Sequence, residues 1–139
     1  MSRRMSVSMT LDAVRDRTKT VTRRHVDSWK HLQAGDRLTL IEKGMGLPKG
    51  AKQVVVCEVE IVDVRVEPLR LVTDDEVKRE GLWPAAQRAL APIPEPHRPG
   101  AAEWFVQFWL QGHGFRGIVA ESVTVECRRI EWRYLEECP

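Results

Sequence analysis

Cysteine and histidine are both scarce and scattered in this chain. Its 139 residues hold three cysteines, Cys57, Cys127 and Cys138, and four histidines, His25, His31, His97 and His113. An odd, widely spaced cysteine set fits no disulfide framework, and neither residue type shows the spacing of a zinc site. The expectation is no metal, no cofactor and a reducing cytoplasm. Long apolar runs are missing too, so no membrane span is expected. Asp12 and Arg15 interrupt any signal-peptide core near the start. The net charge is only +2, which excludes a strong global field. What remains is one soluble domain over residues 1–139, long enough for a proper core. The sequence sets no oligomeric state.

The charge is uneven where the total is bland. Residues 1–24 carry seven Arg and Lys against two Asp, a balance of +5, which leaves −3 for residues 25–139. Within that end lies Arg15-Asp16-Arg17-Thr18-Lys19-Thr20-Val21-Thr22-Arg23-Arg24, with five basic residues and three threonines in ten positions. Threonine hydroxyls among cations hold oxyanions and phosphates by charge and by neutral hydrogen bonds together. The segment is too poor in apolar residues for a buried strand. It reads as a turn after a short helix, leading into an extended piece, and a basic loop on a rigid domain is a natural site. An anionic partner follows: nucleoside, nucleotide or RNA, met by a local patch. A solvated basic terminus is the plainer alternative.

Elsewhere the pattern mixes strands and helices. Val7–Met9 reads as a short first strand, and Thr10 as the N-cap of a two-turn helix with Leu11 and Val14 on one face. Arg37–Lys43 alternates as a strand, and residues 44–50 connect it onward. Val54–Val66 is the longest β signal. Its apolar phase flips near residues 61–62, which requires a bulge or bend. The last strand, from Val123 to Tyr134, flips at Arg128-Arg129. Two strands that bend midway predict a small curved sheet or barrel.

Thr73-Asp74-Asp75-Glu76 is a capping box with Val72 and Val77 as a hydrophobic staple, and Gly81 ends the helix. Glu80 then sits in the last turn, where the helix dipole disfavours a negative charge. It lies three residues after Val77, beside the buried face. Replacing it by Gln is therefore expected to keep the fold and even stabilise it slightly. Residues 84–100 hold five prolines and read as an extended loop. Ala101–Gln111 reads as an amphipathic helix with Trp104, Phe105, Phe108 and Trp109 inward, as core and not as base-stacking groups. Trp83, beside Pro84, is a better stacking candidate, although packing is its more ordinary role. Glu42, at a strand end, is a candidate for the same pocket and equally an exposed charge.

Taken by composition, Lys19 is a phosphate contact or a base, and Thr22 a turn hydroxyl or a nucleophile. A lysine becomes a base only where burial or neighbouring cations lower its pKa.

The basic decapeptide resembles the signature of the ASCH domain, a small member of the PUA-like superfamily, whose pattern is roughly Gly-x-Lys-x-x-Thr-x-Arg. Lys19, Thr22 and Arg24 match in type and spacing, while Arg17 stands where that family has Gly. Gly35-Asp36 before a strand, the helix "TDDEVKREG" and a final strand near Tyr134-Leu135 extend the likeness in order along the chain. The resemblance implies an α+β fold, a small curved mixed β-barrel of five or six strands with helices packed outside. Some small stand-alone members are amidohydrolases that remove the acetyl group from N4-acetylcytidine without a metal. By that resemblance Lys19, Thr22 and Glu80 are the catalytic set. Arg24 would hold the substrate; Arg23 and Arg17 of the same motif, with Glu42 and Trp83 by their positions, are the further substrate-binding candidates. The alternatives are an RNA- or modified-nucleotide-binding module without turnover, and a metal-independent ribonuclease.

Overall fold

The computed structural model describes residues 3–43 and 46–135. Five strands form one mixed sheet: β1 (Arg3–Ser6), β2 (Val21–His25), β3 (Arg37–Ile41), β4 (Val55–Pro68) and β5 (Glu126–Tyr134). Their spatial order is β1-β3-β4-β5-β2. Only β1 runs parallel to its neighbour, β3, and the other pairs are antiparallel. Among the described residues five helices accompany them: α1 (Leu11–Arg15), α2 (Asp74–Arg79), α3 (Trp83–Leu90), α4 (Ala101–Gly112) and α5 (Val119–Thr124). This is an α+β fold, a curled half-barrel sheet with helices outside, as the sequence predicted.

The bulge in β4 falls where the apolar phase flips. Ile61 pairs with Trp132 and Asp63 with Glu131, so Val62 is the extra residue. Val62 turns out to solvent, and Val64 returns to the core that already holds Cys57, Val59 and Ile61. The bulge thus keeps one face of a long strand on one core through a bend.

The phase switch in β5 has a different cause. No register shift marks Arg128-Arg129. Both faces of β5 are buried, against two cores. Ile130 and Trp132 join the sheet's inner cluster with Met5, Leu38 and Leu40. Cys127 joins the cluster under the helices, with Val77, Leu82, Phe105 and Trp109.

Five sequence expectations need correction, the first being that the basic stretch holds no buried strand: Val21, Thr22 and Arg23 of β2 are buried. The first strand is Arg3–Ser6, not Val7–Met9, because residues 8–10 turn as a 3-10 helix into α1. The final strand starts at Glu126, since Val119–Thr124 is helical despite its β-branched residues. The first half of the proline-rich stretch is α3, where Pro84 sits in the first turn, a position that needs no N–H donor. Finally, Cys57 is disulfide-bonded, where the cysteine spacing predicts no disulfide. That bond removes the sequence argument for a reducing compartment. Residues 44–45, expected in a connection, and Cys138 lie outside the described residues. Among the described residues no helix is long and apolar enough to cross a membrane.

Candidate functional site

The sheet's two edge strands, β1 and β2, are not hydrogen-bonded to each other, yet the curl brings them close. The Arg24 guanidinium on β2 donates to the backbone carbonyl of Ser6 at the end of β1, at 2.8 Å. A cavity of about 520 Å³ lies at this seam. Ser6–Thr10 form one wall, Thr22, Arg23 and Arg24 another, with Lys19 and Glu80 at its polar end. Helix α4 closes it with Phe105, Phe108 and Trp109, and its end adds Gln111 and His113. A mostly apolar space of this size with a few convergent polar groups suits one nucleoside-sized ligand.

Local chemistry positions each polar group. The turn after α1 passes through Arg17 at φ 65°, the left-handed region that glycine adopts more readily. Lys19 then leaves the turn with its N–H on Ala13 O at 3.0 Å, and Thr20 N–H bonds Arg79 O at 2.8 Å. The Lys19 carbonyl accepts from Trp132 Nε1 at 3.2 Å and from the Tyr134 hydroxyl. Opposite, α2 starts at the Thr73 cap, whose hydroxyl accepts from Glu76 N–H at 3.2 Å, and stops at Glu80 and Gly81.

Gly81 fixes the approach of the two segments. Its φ is +79°, and a Cβ there would lie 2.6 Å from Ala13 Cβ and 3.2 Å from Lys19 Cβ. Gly81→Ala combines left-handed strain with a steric clash, so a loss of about 2–4 kcal/mol is expected. Chemical denaturation checks it: an unchanged midpoint would contradict the close packing of α2 on the Lys19 turn.

Lys19 and Glu80 are each only 3% exposed. Lys19 Nζ donates to Val21 O at 2.9 Å and Glu80 O at 2.6 Å, and meets Glu80 Oε1 at 3.4 Å. Burial pulls the Lys19 pKa below its ordinary value; Glu80 opposes this, while Arg24 and Arg23 add to it. Thr22 is buried in the cavity wall, and its hydroxyl makes no hydrogen bond among the described residues, to Lys19 or to Glu80. The three residues therefore share one cavity, with a direct contact between two of them.

The arginines divide into two roles. Arg23 is committed to carboxylates: Nη1 meets Glu80 Oε2 at 3.0 Å, and Nη2 meets Glu76 at 2.6 Å and Glu67 at 3.1 Å. Arg24 has no carboxylate partner among the described residues, and its Nε, like that of Arg23, is buried and unbonded. Burial disfavours its charge, so an anionic ligand group would relieve a real cost. Of the cations in the cavity wall, Arg24 is the one that pairs with no carboxylate among the described residues, which leaves it available to an oxyanion.

Three sequence candidates lie elsewhere. Arg17 is exposed over the Tyr134 ring at 5.7 Å, outside the cavity wall. Glu42 pairs with exposed Arg15 at 3.4 Å. Trp83 begins α3, beneath Lys78 at 4.6 Å, and lines a neighbouring cavity. In each case residues beside the motif in sequence, or at the end of the right element, point around the corner from the seam.

Sequence reasoning missed His113 at the cavity mouth. It caps α4, stacks on Trp109 with centroids 3.8 Å apart, and its Nδ1 lies 2.8 Å from Trp109 O. Burial, with Arg24 and His25, lowers its pKa against the pull of that carbonyl and of Glu80, so it is neutral near pH 7. Its place next to the helix stop Gly112 is a weak signal that only the edge-strand seam makes meaningful. Cys127 offers no alternative nucleophile. It is buried in the helix-side core, and burial pushes its thiol up to about 12.

Behind the site lies an ion network. Arg23 and Arg129 sit directly opposite each other on β2 and β5, a repulsive pairing by itself. Glu76 spans them, at 2.6 Å from Arg23 and 2.5 Å from Arg129. Burial would raise the Glu76 pKa, but hydrogen bonds from Arg129 and Arg23 outweigh it and bring it from 4.5 to about 2. A depressed folded-state pKa means that this contribution is complete above about 4.5 and disappears as pH falls toward 2. Melting temperature should decline through that window, and Glu76→Gln should flatten the decline. Equal slopes for parent and variant would show that Glu76 carries no such linkage.

No family model matches this chain, and no curated protein matches it. Among solved structures it is similar to protein EF3133 from Enterococcus faecalis V583, assigned to family DUF984. The TM-score is 0.52 at 12% identity, over 92% of this chain and 71% of the other. At that identity the likeness is one of fold.

Proposed function

We propose that the protein is a metal-independent amidohydrolase of the ASCH type, acting on an acylated nucleoside or base such as N4-acetylcytidine. One observation supports this above the others. A buried lysine with a lowered pKa meets a buried glutamate in a nucleoside-sized cavity lined also by Thr22 and by Arg24, an arginine without a carboxylate partner among the described residues. Those are the parts of an acyl-transfer site: base, nucleophile and oxyanion holder.

In this reading the Thr22 hydroxyl attacks the acyl carbon and the neutral form of Lys19 takes its proton. The carbonyl oxygen becomes an alkoxide facing Arg24. Collapse breaks the C–N bond, and the proton on Lys19 passes to the leaving amine. Water then hydrolyses the acyl ester on Thr22, releasing the carboxylic acid. To do this Lys19 exchanges one of its present acceptors for the threonine hydroxyl. Glu80 orients the ammonium and offsets its charge. The aromatic wall of α4 excludes water and packs against the base.

That no hydrogen bond joins Thr22 to Lys19 favours a second reading, a pocket that binds a modified base without turnover. The test is incubation of the pure protein with N4-acetylcytidine, reading cytidine and acetate released. Release in equal amounts supports hydrolysis; saturable binding without release replaces it with the binding reading. In either case a phosphorylated ligand would contact Arg24. Its affinity should fall with salt, and Arg24→Glu should weaken it. Affinity that is the same in low and high salt would argue against a phosphate on the ligand.

A further inference from the structure

The Glu80 carboxylate is shared between two cations. Oε1 faces Lys19 Nζ at 3.4 Å, and Oε2 takes the better contact, Arg23 Nη1 at 3.0 Å. Arg23 is itself 1% exposed at its side chain and bound to two further carboxylates. Its stronger partner, Glu76, is in turn claimed by Arg129 at 2.5 Å and by Arg79 at 3.4 Å. The chain Lys19–Glu80–Arg23–Glu76–Arg129 runs from the cavity through β2 and α2 to Arg129 on β5. Neighbouring charges along it alternate in sign.

We infer that Arg23 is a positioning residue that aims Glu80 at Lys19 and limits Glu80's hold on it, and that Glu76, backed by Arg129, sets how strong that limit is. This rests on the proposed role of Lys19 as a base. The physical argument is one of competition. A carboxylate that served Lys19 alone would bind its ammonium strongly and keep it protonated. Arg23 draws one oxygen away and adds its own positive field, so the free base becomes accessible. Too much of that field would strip Glu80 from Lys19 altogether. Glu76 and Glu67 prevent this by occupying Nη2. Other charged groups face the same space. Arg24 lines the cavity and adds to the positive field at Lys19. Glu131 meets Arg129 at 2.9 Å and Arg79 at 2.9 Å, and Asp63 lies 3.8 Å from Arg129. They act on the outer end of the chain.

The inference makes two predictions of opposite sign. Removing Arg23 gives Glu80 wholly to Lys19, so the ammonium persists to higher pH. Removing the charge of Glu76 leaves Arg23 less satisfied, so it pulls harder on Glu80 and the ammonium is lost at lower pH. The experiment is NMR titration of Lys19 in protein carrying labelled lysine, for the parent, Arg23→Gln and Glu76→Gln, with the Lys19 signal assigned through Lys19→Arg. The expected result is a Lys19 midpoint raised by roughly one pH unit in Arg23→Gln and lowered by about half a unit in Glu76→Gln. Arg23→Gln leaves three carboxylates without their shared cation and is the variant at risk of unfolding. Glu76→Gln keeps an acceptor oxygen for both arginines, so it tests the inference alone if needed. Midpoints that stay put, or move in the same direction in both variants, overturn the inference. The acid limb of hydrolysis should follow the same two directions. Because the titration needs no turnover, a protein that hydrolyses nothing while its Lys19 midpoint shifts as stated would refute the amidohydrolase reading and leave the charge relay standing.

Discussion

Thr22→Val is expected to reduce hydrolysis of N4-acetylcytidine by roughly 10³-fold or more while cytidine binds within about twofold of the parent. Valine keeps the volume of threonine and removes only the hydroxyl. That hydroxyl has no hydrogen-bond partner among the described residues, so its loss orphans no buried group and the fold is spared. The remaining Thr22 contacts belong to β2, where its backbone pairs with Ile130 of β5. An effect on rate without an effect on product affinity is the signature of a group used in the transition state. Thr22→Ser should retain part of the activity, since the oxygen survives with a looser rotamer. Paired turnover and binding measurements check this. A valine variant that hydrolyses at the parent rate would remove Thr22 from the chemistry and leave water, activated by Lys19, as the nucleophile.

The parts of this protein that were legible in its sequence are those whose cause is local. The bulge at Val62 shows as a change of phase because strand side chains alternate strictly. Helix α2 announces itself through Thr73, Glu76 and Gly81, all within nine positions. Glu80 drew notice because its charge opposes the helix dipole. What the sequence could not display is pairing between distant segments. Strand β1 has one fully buried residue, Met5, and exists because β3 accepts it in parallel. The phase switch at Arg128-Arg129 looks like a bend, but it records two cores on opposite faces of one strand. The cavity itself is a gap between two strand edges. Its wall residues Ser6–Thr10 and His113 therefore have no motif, while Glu42, Trp83 and Arg17, each near the right element, fall outside it. The structure also reverses one energetic expectation. With Lys19 and Arg23 buried against it, Glu80 is a required counter-charge, and relief of the helix dipole in Glu80→Gln is the smaller effect.

That reversal leads to the second large effect. Lys19→Met should destabilise the protein by about 3–5 kcal/mol, because it removes the cation from a buried pair and leaves Glu80 Oε1 and the carbonyls of Val21 and Glu80 without their donor. Glu80→Gln should cost less, since the amide oxygen still accepts from Arg23 and its NH₂ faces Lys19 at the expense of one repulsive contact. The double variant Lys19→Met/Glu80→Gln is expected to recover part of the Lys19→Met loss, because neither charge is then left alone and Arg23 keeps Glu67 and Glu76. Hydrolysis should be absent in all three proteins. Denaturation curves and turnover on the same samples separate the two contributions. Stability that returns in the double variant without activity places Lys19 and Glu80 in the chemistry as well as in the fold. Activity that returns together with stability would mean that the pair serves only to hold the cavity in shape, and that the base lies elsewhere, with His113 next in reach of the cavity.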